Sequence, residues 1–198
     1  VDVSHTRTGS HNFAVLFDTG TTTTRAEIHL DVLPFEMAAP GAIRLCCWSS
    51  YNEDAVQDLL AHGNNVFTVG LPPATVVGND PLDISIDTSA LDAFVAPLAG
   101  HDVFLLMGGI PSLGVPMESD DYGQRLTRFL DLLMAHLSTR GIDEDHVALY
   151  PHDEPGGHGW DTVHHYVAFG RKARKARPGL RLYVNGGGDL AMFEALNE

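Results

Sequence analysis

Residues 147–157 read VALYPHDEPGG, and they combine a short apolar run with two adjacent acids. The first four of these residues have the composition and length of a buried strand. Pro155 disfavours the helical region for the residue before it, so we expect Asp153 and Glu154 to stay extended as the strand ends. The sequence therefore predicts two carboxylates at the point where a strand gives way to a loop.

The segments around this strand alternate between strand patterns and helix patterns. The clearest helix opens near Asp120, carries its apolar residues on one face and stops at Gly141. Another helix is predicted over residues 161–177, ahead of Pro178. Five predicted strands start roughly 35 residues apart on average, close to the ~30 residues per unit of a (β/α)8 barrel. Their first residues are 43, 66, 103, 147 and 181.

Five strand–helix units in succession require a parallel sheet, because parallel neighbours need crossover connections. The spacing favours an α/β fold in which residues 41–198 form a partial (β/α)8 TIM barrel of about five units. A doubly wound open sheet is the alternative. Gly186-Gly187-Gly188 supports that alternative only weakly, since no Gly-x-Gly-x-x-Gly fingerprint opens the first helix.

Residues 1–40 have a different pattern from the rest of the chain. Apolar and polar residues alternate from Ala26 to Val32, which is typical of an antiparallel sheet with one solvated face, and Pro34 and Gly41 close the segment. We predict the C-terminal part of a β-sandwich domain or a strand-rich linker. The chain begins without methionine and stops inside a predicted helix, so we expect a truncated barrel that is inactive as an isolated fragment.

The composition excludes several classes of protein and partner. Of the 198 residues, 44% are hydrophobic and 19% are charged, which excludes a disordered chain. The net charge of -14 argues against nucleic acid and anionic membrane as partners. The sequence has no apolar run long enough to span a membrane and no signal-peptide pattern at its first residues. It assigns neither a compartment nor an oligomeric state.

The acid pair has the composition of a glycosidase site. In a barrel it would lie on the catalytic rim, and in an open sheet on the ligand-binding edge. Glycoside hydrolysis needs one group to protonate the leaving oxygen and another to stabilise the anomeric centre. Adjacent carboxylates do not obviously give the ~5–5.5 Å separation between an acid and an enzyme nucleophile, which favours substrate assistance or a second acid elsewhere. A solvated Asp-Glu-Pro turn is the non-catalytic alternative.

Several short motifs in the chain carry a family resemblance. They are LDIS at residues 82–85, ALDAFV at residues 90–95, VFL at residues 103–105, the long helix ending at Arg140-Gly141, and LYPHDEP at residues 149–155. In this order and spacing they resemble the catalytic domain of glycoside hydrolase family 123-like proteins, many of which have no assigned activity. Residues 31–37, DVLPFEM, are similar to the end of the β-sandwich that precedes that barrel.

The resemblance implies a retaining β-N-acetylgalactosaminidase type of activity on a terminal β-linked N-acetylhexosamine of a glycan. By the same resemblance, Asp153 would orient the 2-acetamido group of the substrate, and Glu154 would be the general acid and then the base. The chemistry agrees, because an acetamido oxygen that acts as nucleophile removes the need for an enzyme nucleophile. Two other hypotheses stay open. One is a retaining glycosidase that uses Glu154 as acid/base and a carboxylate nucleophile beyond residue 198, and the other is a non-catalytic carbohydrate-binding barrel.

Six further side chains are candidates for binding the sugar. They follow predicted strands or the acid pair, and they offer either an aromatic platform or a hydrogen-bonding partner. A packing or loop-anchoring role is the alternative for the aromatic residues among them. The candidates are Trp48, Tyr51, Tyr150, His152, Trp160 and Asn185.

Four histidines lie close together in the sequence near the acid pair, and they suggest a metal site. His152, His158, His164 and His165 do not match a His-x-x-x-His pair on one helix face. We therefore predict that they form a solvated surface, and we expect neither a metal nor another cofactor.

Overall fold

The computed structural model of the chain describes residues 6–34, 43–48, 52–77, 80 and 82–197. The chain divides into two compact units, Val1–Ala39 and Pro40–Glu198. Within the described residues, no helix has both the length and the apolar composition needed to cross a membrane.

The first unit contains an antiparallel hairpin of two ten-residue strands. Strand β1 is Gly9–Asp18 and strand β2 is Thr23–Val32. In the turn between them, the amide of Thr19 donates to the carbonyl of Thr22 at 3.1 Å. The antiparallel pairing that the alternation predicts is therefore present.

The hairpin has one apolar face and one polar face. On the apolar face Phe13 is paired with Ile28 and Val15 with Ala26, and both Phe13 and Ile28 are 44% exposed. The alternate positions are mostly polar, with Ala14 and Leu16 as the exceptions. Two hydrogen-bonded pairs on that polar face are Ser10 with Asp31 and Asn12 with His29.

The second unit alternates helices with strands. Its described helices are α1 Glu53–Ala61, α2 Ser89–Val95, α3 Asp120–Thr139, α4 Trp160–Ala176 and α5 Leu190–Leu196. Its described strands are β3 Val66–Gly70, β4 Ala74–Val76, β5 Ile84–Ile86, β6 Phe104–Gly108, β7 Val147–Tyr150 and β8 Arg181–Leu182. Short 3-10 helices cover Ala96–Leu98, Glu144–His146 and Pro155–His158.

Four of these strands form one sheet in which every pair of neighbours is parallel. The order across the sheet, β3-β6-β7-β8, follows the order along the chain. Strands β4 and β5 form a separate antiparallel pair between β3 and α2. The predicted α/β class and the parallel sheet are confirmed.

The first predicted strand, starting at residue 43, is not a regular strand in the structure. Its backbone pairs with the sheet through one isolated parallel bridge, between Cys46 and Val66. The amides of Leu45 and Cys47 donate to the side-chain oxygens of two asparagines, at 2.8 and 2.6 Å. Because side chains take these amide groups, the backbone ladder does not extend through this segment.

The fifth predicted strand, starting at residue 181, is only two residues long in the structure. The amide of Tyr183 still donates to the carbonyl of Leu149 at 2.8 Å, one residue past the end of β8. The ladder then stops ahead of Asn185, whose side chain bonds to the loop that follows β7.

Helix α3 forms as the sequence predicts. The side-chain oxygen of Ser119 accepts from the amide of Asp121 at 3.2 Å, and acidic residues in the first turn offset the helix dipole. Just past the helix, Gly141 has a φ of +77°, the left-handed conformation that commonly ends a helix. The predicted apolar face is buried, which is confirmed for Leu126, Phe129, Leu130, Leu133 and Leu137.

The helices cover one face of the parallel sheet. The sheet residues buried in one cluster with side chains of α1, α2, α3 and α4 are Phe67, Leu105, Met107, Val147 and Leu149. The alternate positions along the strands belong to a second cluster, to which none of the described helices contributes a residue. The buried members of this second cluster are Val66, Leu106, Ala148 and Tyr150.

Candidate active site

The acid pair lies where β7 ends and the chain turns sharply. Glu154 has φ 42° and ψ 54°, and it is the one described residue other than glycine with a positive φ. The prediction that the pair stays extended was wrong. The amide of Glu154 donates to the side-chain oxygen of Asn185 at 2.8 Å, and its carbonyl accepts from the amide of Gly157 at 2.8 Å. Residues other than glycine rarely adopt this left-handed conformation, and these two hydrogen bonds hold Glu154 in it.

The carboxylate of Asp153 is held by two donors. The hydroxyl of Tyr150 donates to Oδ1 of Asp153, and Nδ2 of Asn185 donates to the same oxygen at 2.6 Å. The hydrogen bond from Tyr150 and then that from Asn185 lower the pKa of Asp153, and they outweigh a small opposing effect of burial. Asp153 is therefore ionised at neutral pH and fixed in direction.

Glu154 has a different environment from its neighbour. Its side chain is exposed, and none of the described residues hydrogen-bonds to its carboxylate. A bound molecule or water can therefore reach this carboxylate. The pair thus combines one carboxylate that two donors hold with one that is exposed.

The two loops that build this site touch backbone to backbone. A Cβ added to Gly156 would lie 1.9 Å from the carbonyl oxygen of Gly187, and a Cβ added to Gly187 would lie 2.7 Å from the amide nitrogen of Gly157. Only residues without a side chain can come this close. Gly187 and Gly188 therefore serve the contact between the loops that follow β7 and β8, and the contact brings Asn185 against Asp153.

Three aromatic rings pack beside the acid pair. The ring centroids of Trp48 and Tyr150 are 5.6 Å apart, those of Tyr150 and Tyr183 are 5.3 Å apart, and those of Trp48 and Tyr183 are 6.3 Å apart. Trp48 is 50% exposed, whereas Tyr150 is 7% exposed. Burial is the largest cause of the raised pKa of both tyrosines, so both hydroxyls stay protonated and can donate hydrogen bonds.

Tyr183 is a residue of this cluster that the sequence analysis missed. It precedes Asn185 by two positions, and residues two apart on an extended segment point to the same side. That alternation is the signal that could have found it. The sequence-predicted residues that the structure brings together with it are Trp48, Tyr150, Asp153, Glu154 and Asn185.

Two other sequence-predicted residues contact histidines rather than the acid pair. Nε2 of His152 lies 2.8 Å from Nδ1 of His165, so one of the two imidazoles donates and the other accepts. The ring of Trp160 lies 5.5 Å from that of His164. Tyr51, the remaining candidate, falls outside the described residues.

The titratable groups near the pair do not form a metal-binding set. No group of three or more His, Cys, Asp or Glu residues that could hold a metal ion occurs within the described ranges. The charge of His158 contributes to lowering the pKa of Asp153, after the two hydrogen bonds. The side chains of the site offer two carboxylates and the hydrogen-bond donors of Tyr150 and Asn185.

A groove of about 410 Å³ does not include the acid pair. It lies between α3 and α4, and Asp120, Gln124, Lys172 and Lys175 are among its lining residues. Its side chains offer charge and hydrogen bonds without an acid–base pair.

No family model matches the chain, and no curated protein sequence matches it.

Proposed function

We propose that the chain belongs to a glycoside hydrolase that acts on a terminal β-linked N-acetylhexosamine with retention of configuration. The observation that carries the proposal is the contrast within the acid pair. Asp153 is ionised and held by Tyr150 and Asn185, while the carboxylate of Glu154 is exposed and has no described hydrogen-bond partner. Substrate-assisted hydrolysis requires one fixed carboxylate and one mobile proton donor of this kind.

In the proposed reaction, Asp153 accepts a hydrogen bond from the N–H of the 2-acetamido group and turns the acetamido oxygen toward the anomeric carbon. Glu154 gives its proton to the glycosidic oxygen as that carbon–oxygen bond breaks and the acetamido oxygen bonds to the anomeric carbon. The resulting Glu154 carboxylate takes a proton from water, which attacks the anomeric carbon and breaks the bond between that carbon and the acetamido oxygen. Two inversions at one carbon give net retention.

The aromatic cluster supports a sugar substrate. Trp48 is half exposed, and its ring packs against Tyr150, whose hydroxyl binds Asp153. An exposed aromatic ring beside the acids offers an apolar surface to the C–H face of a sugar ring. We assign Trp48 and Tyr183 to this surface, and we leave Trp160 out of it because its ring packs on His164.

Two features of the fold support a barrel as the scaffold. The parallel strands follow one another across the sheet in chain order, so the order does not reverse as it does in a doubly wound sheet. Helices α1 to α4 pack on one sheet face, as in a (β/α)8 barrel, and the opposite face carries its own apolar cluster. We propose that the second unit is part of such a barrel.

The hairpin of the first unit supports the proposal of a β-sandwich. Its apolar face has partly exposed Phe13 and Ile28, and a two-stranded hairpin is marginally stable on its own. A second sheet packed on that face would bury both residues. We propose that β1 and β2 belong to such a sandwich.

The role of Glu154 can be tested with aryl glycosides of 2-acetamido-2-deoxy sugars and the full-length protein. Glu154→Gln should abolish turnover of a substrate with a poor leaving group and retain part of it for a dinitrophenyl glycoside, which needs no protonation. Glu118→Gln, at an exposed glutamate ahead of α3, is the matched control and should leave both rates unchanged. Unchanged turnover by Glu154→Gln would contradict the proposal. Sugar binding without release of reducing ends would identify a binding barrel instead.

A further inference from the structure

We propose that Asn185 is a positioning residue that sets the geometry of the acid pair through both ends of its side-chain amide, rather than a residue that binds substrate. This inference rests on the proposed function of Asp153 and Glu154. Nδ2 of Asn185 donates to Oδ1 of Asp153 at 2.6 Å, and Oδ1 of Asn185 accepts from the amide of Glu154 at 2.8 Å. A single planar group therefore fixes the carboxylate of one acid and the backbone of the other.

The chemistry of the partners settles which end of the Asn185 amide is which. Rotating the amide by 180° would place the NH2 group against the N–H of Glu154 and the oxygen against the carboxylate of Asp153. Both contacts would then be repulsive. The observed orientation is consequently the one in which two hydrogen bonds form, and both polar atoms of the side chain are engaged.

The surrounding loop gives Asn185 little freedom to move. The amide of Tyr183 is bound to the carbonyl of Leu149 on β7, two residues before Asn185. Two residues after Asn185, Gly187 is packed against the backbone of Gly156. The backbone is thus anchored on both sides of Asn185. From this position, the short side chain of Asn185 reaches both Asp153 and Glu154.

Two consequences follow for the acid pair. The donor end of Asn185 stabilises the ionised form of Asp153, which is the form that accepts the acetamido N–H. The acceptor end fixes the left-handed backbone of Glu154 and so the direction in which its side chain leaves the chain. Loss of Asn185 should affect the reaction step more than the affinity for substrate.

The test compares Asn185→Asp with Asn185→Ala. The aspartate keeps an acceptor for the amide of Glu154 but replaces the donor to Asp153 with a negative charge, whereas alanine removes both bonds. We expect the pKa of Asp153 to rise in both variants and to be higher in the aspartate variant. The acid limb of kcat/KM should move to higher pH in the same order, and kcat should fall about tenfold or more with a smaller change in KM.

Asn52→Ala is the control for a purely structural loss. It removes a side-chain hydrogen bond of 2.8 Å to the amide of Ala55 at the start of α1. It should lower the melting temperature without moving the acid limb or the titration of Asp153. If Asn185→Asp fails to fold, the alanine variant decides the question by the same two readouts.

Titration of the Asp153 carboxyl by NMR in the folded protein separates the two proposals. A wild-type protein without turnover would refute the proposed function, yet the titration would still test Asn185. A raised pKa of Asp153 in the folded variants supports the positioning role. Titration of Asp153 at the wild-type pH in a folded Asn185→Ala protein would overturn it, as would activity loss with an unmoved acid limb.

Discussion

Gly156 and Gly187 meet so closely that neither can carry a side chain. A Cβ on Gly156 would lie 1.9 Å from the carbonyl oxygen and 2.5 Å from the carbonyl carbon of Gly187. Both atoms belong to the backbone, so the clash cannot be relieved by rotating a side chain. The contact joins the loop that carries the acid pair to the loop that carries Asn185.

Gly156→Ala should therefore destabilise the protein. We expect a loss of about 3 kcal/mol in the free energy of unfolding, because the two loops must separate to accommodate the methyl group. Gly157→Ala is the matched control: its Cβ would meet the Glu154 side chain at ordinary contact distances of 3.7 Å or more. Urea denaturation of the three proteins measures the difference, and equal stabilities for the two variants would refute the close contact.

Tyr150→Phe should destabilise the protein by an amount that depends on pH. The hydrogen bond to Asp153 favours the ionised carboxyl, so its stabilisation is present above the unfolded pKa of about 3.9 and is lost as the pH falls further. We expect about 1 kcal/mol at pH 7, limited by the exposure of Asp153, and less at pH 3.

Tyr166→Phe provides the comparison for that experiment. The hydroxyl of Tyr166 donates to the carbonyl of Tyr183 at 3.3 Å, and a carbonyl does not titrate in this range. The loss in free energy of unfolding caused by Tyr166→Phe, measured by urea denaturation, should therefore be the same at pH 7 and pH 3. If the loss in free energy of unfolding caused by Tyr150→Phe were also independent of pH, that result would argue against the bond to ionised Asp153.

The contact between His152 and His165 should make the site acid-sensitive. Burial is the first cause of the lowered pKa of His152, followed by the charges of His165 and His158. The pKa of His152 in the folded protein lies below the unfolded value of about 6.5. Neutral His152 therefore stabilises the fold above pH 6.5, and this stabilisation is lost as the pH falls.

His165→Asn should accordingly reduce the fall in melting temperature between pH 8 and pH 5.5, by an amount on the order of 1 °C. His164→Asn, its neighbour on α4, is packed on Trp160 and should leave the fall unchanged. Thermal unfolding at the two pH values checks both variants. An identical pH dependence of the melting temperature in wild type and His165→Asn would contradict the proposal that the contact between His152 and His165 makes the protein acid-sensitive.

Trp48→Ala should weaken substrate binding while Trp160→Ala should not. Both rings are partly exposed, at 50% and 41%, but only that of Trp48 packs against Tyr150. Loss of one aromatic contact to a sugar corresponds to about 1 kcal/mol, or roughly a fivefold rise in KM. Steady-state kinetics of the two variants measures the difference, and equal KM values would contradict the assignment of Trp48 to the sugar surface.

The regular parts of the fold could be predicted from local patterns. The heptad-like spacing of leucines defines the buried face of α3, and Gly141 marks its end, because both signals act within a few residues. The succession of strands and helices likewise predicts a parallel sheet. These features depend on periodicity, which a single sequence displays directly.

The parts that the sequence did not predict depend on residues far apart in the chain. The left-handed turn at Glu154 is held by Asn185, which lies 31 positions away. The irregular segment around Cys46 results from asparagine side chains 17 and 20 residues further on, which take the amides that a strand would use. Tertiary hydrogen bonds override the local preference in both places.

The central claim is that Asp153 and Glu154 hydrolyse glycosides with the help of the 2-acetamido group of the substrate. The most direct measurement compares the hydrolysis of an aryl 2-acetamido-2-deoxy-β-glycoside with that of its 2-hydroxy counterpart by the full-length protein. We expect turnover of the acetamido substrate alone, with retained configuration in the first product. Comparable turnover of the 2-hydroxy glycoside would contradict it and would point to a carboxylate nucleophile of the enzyme.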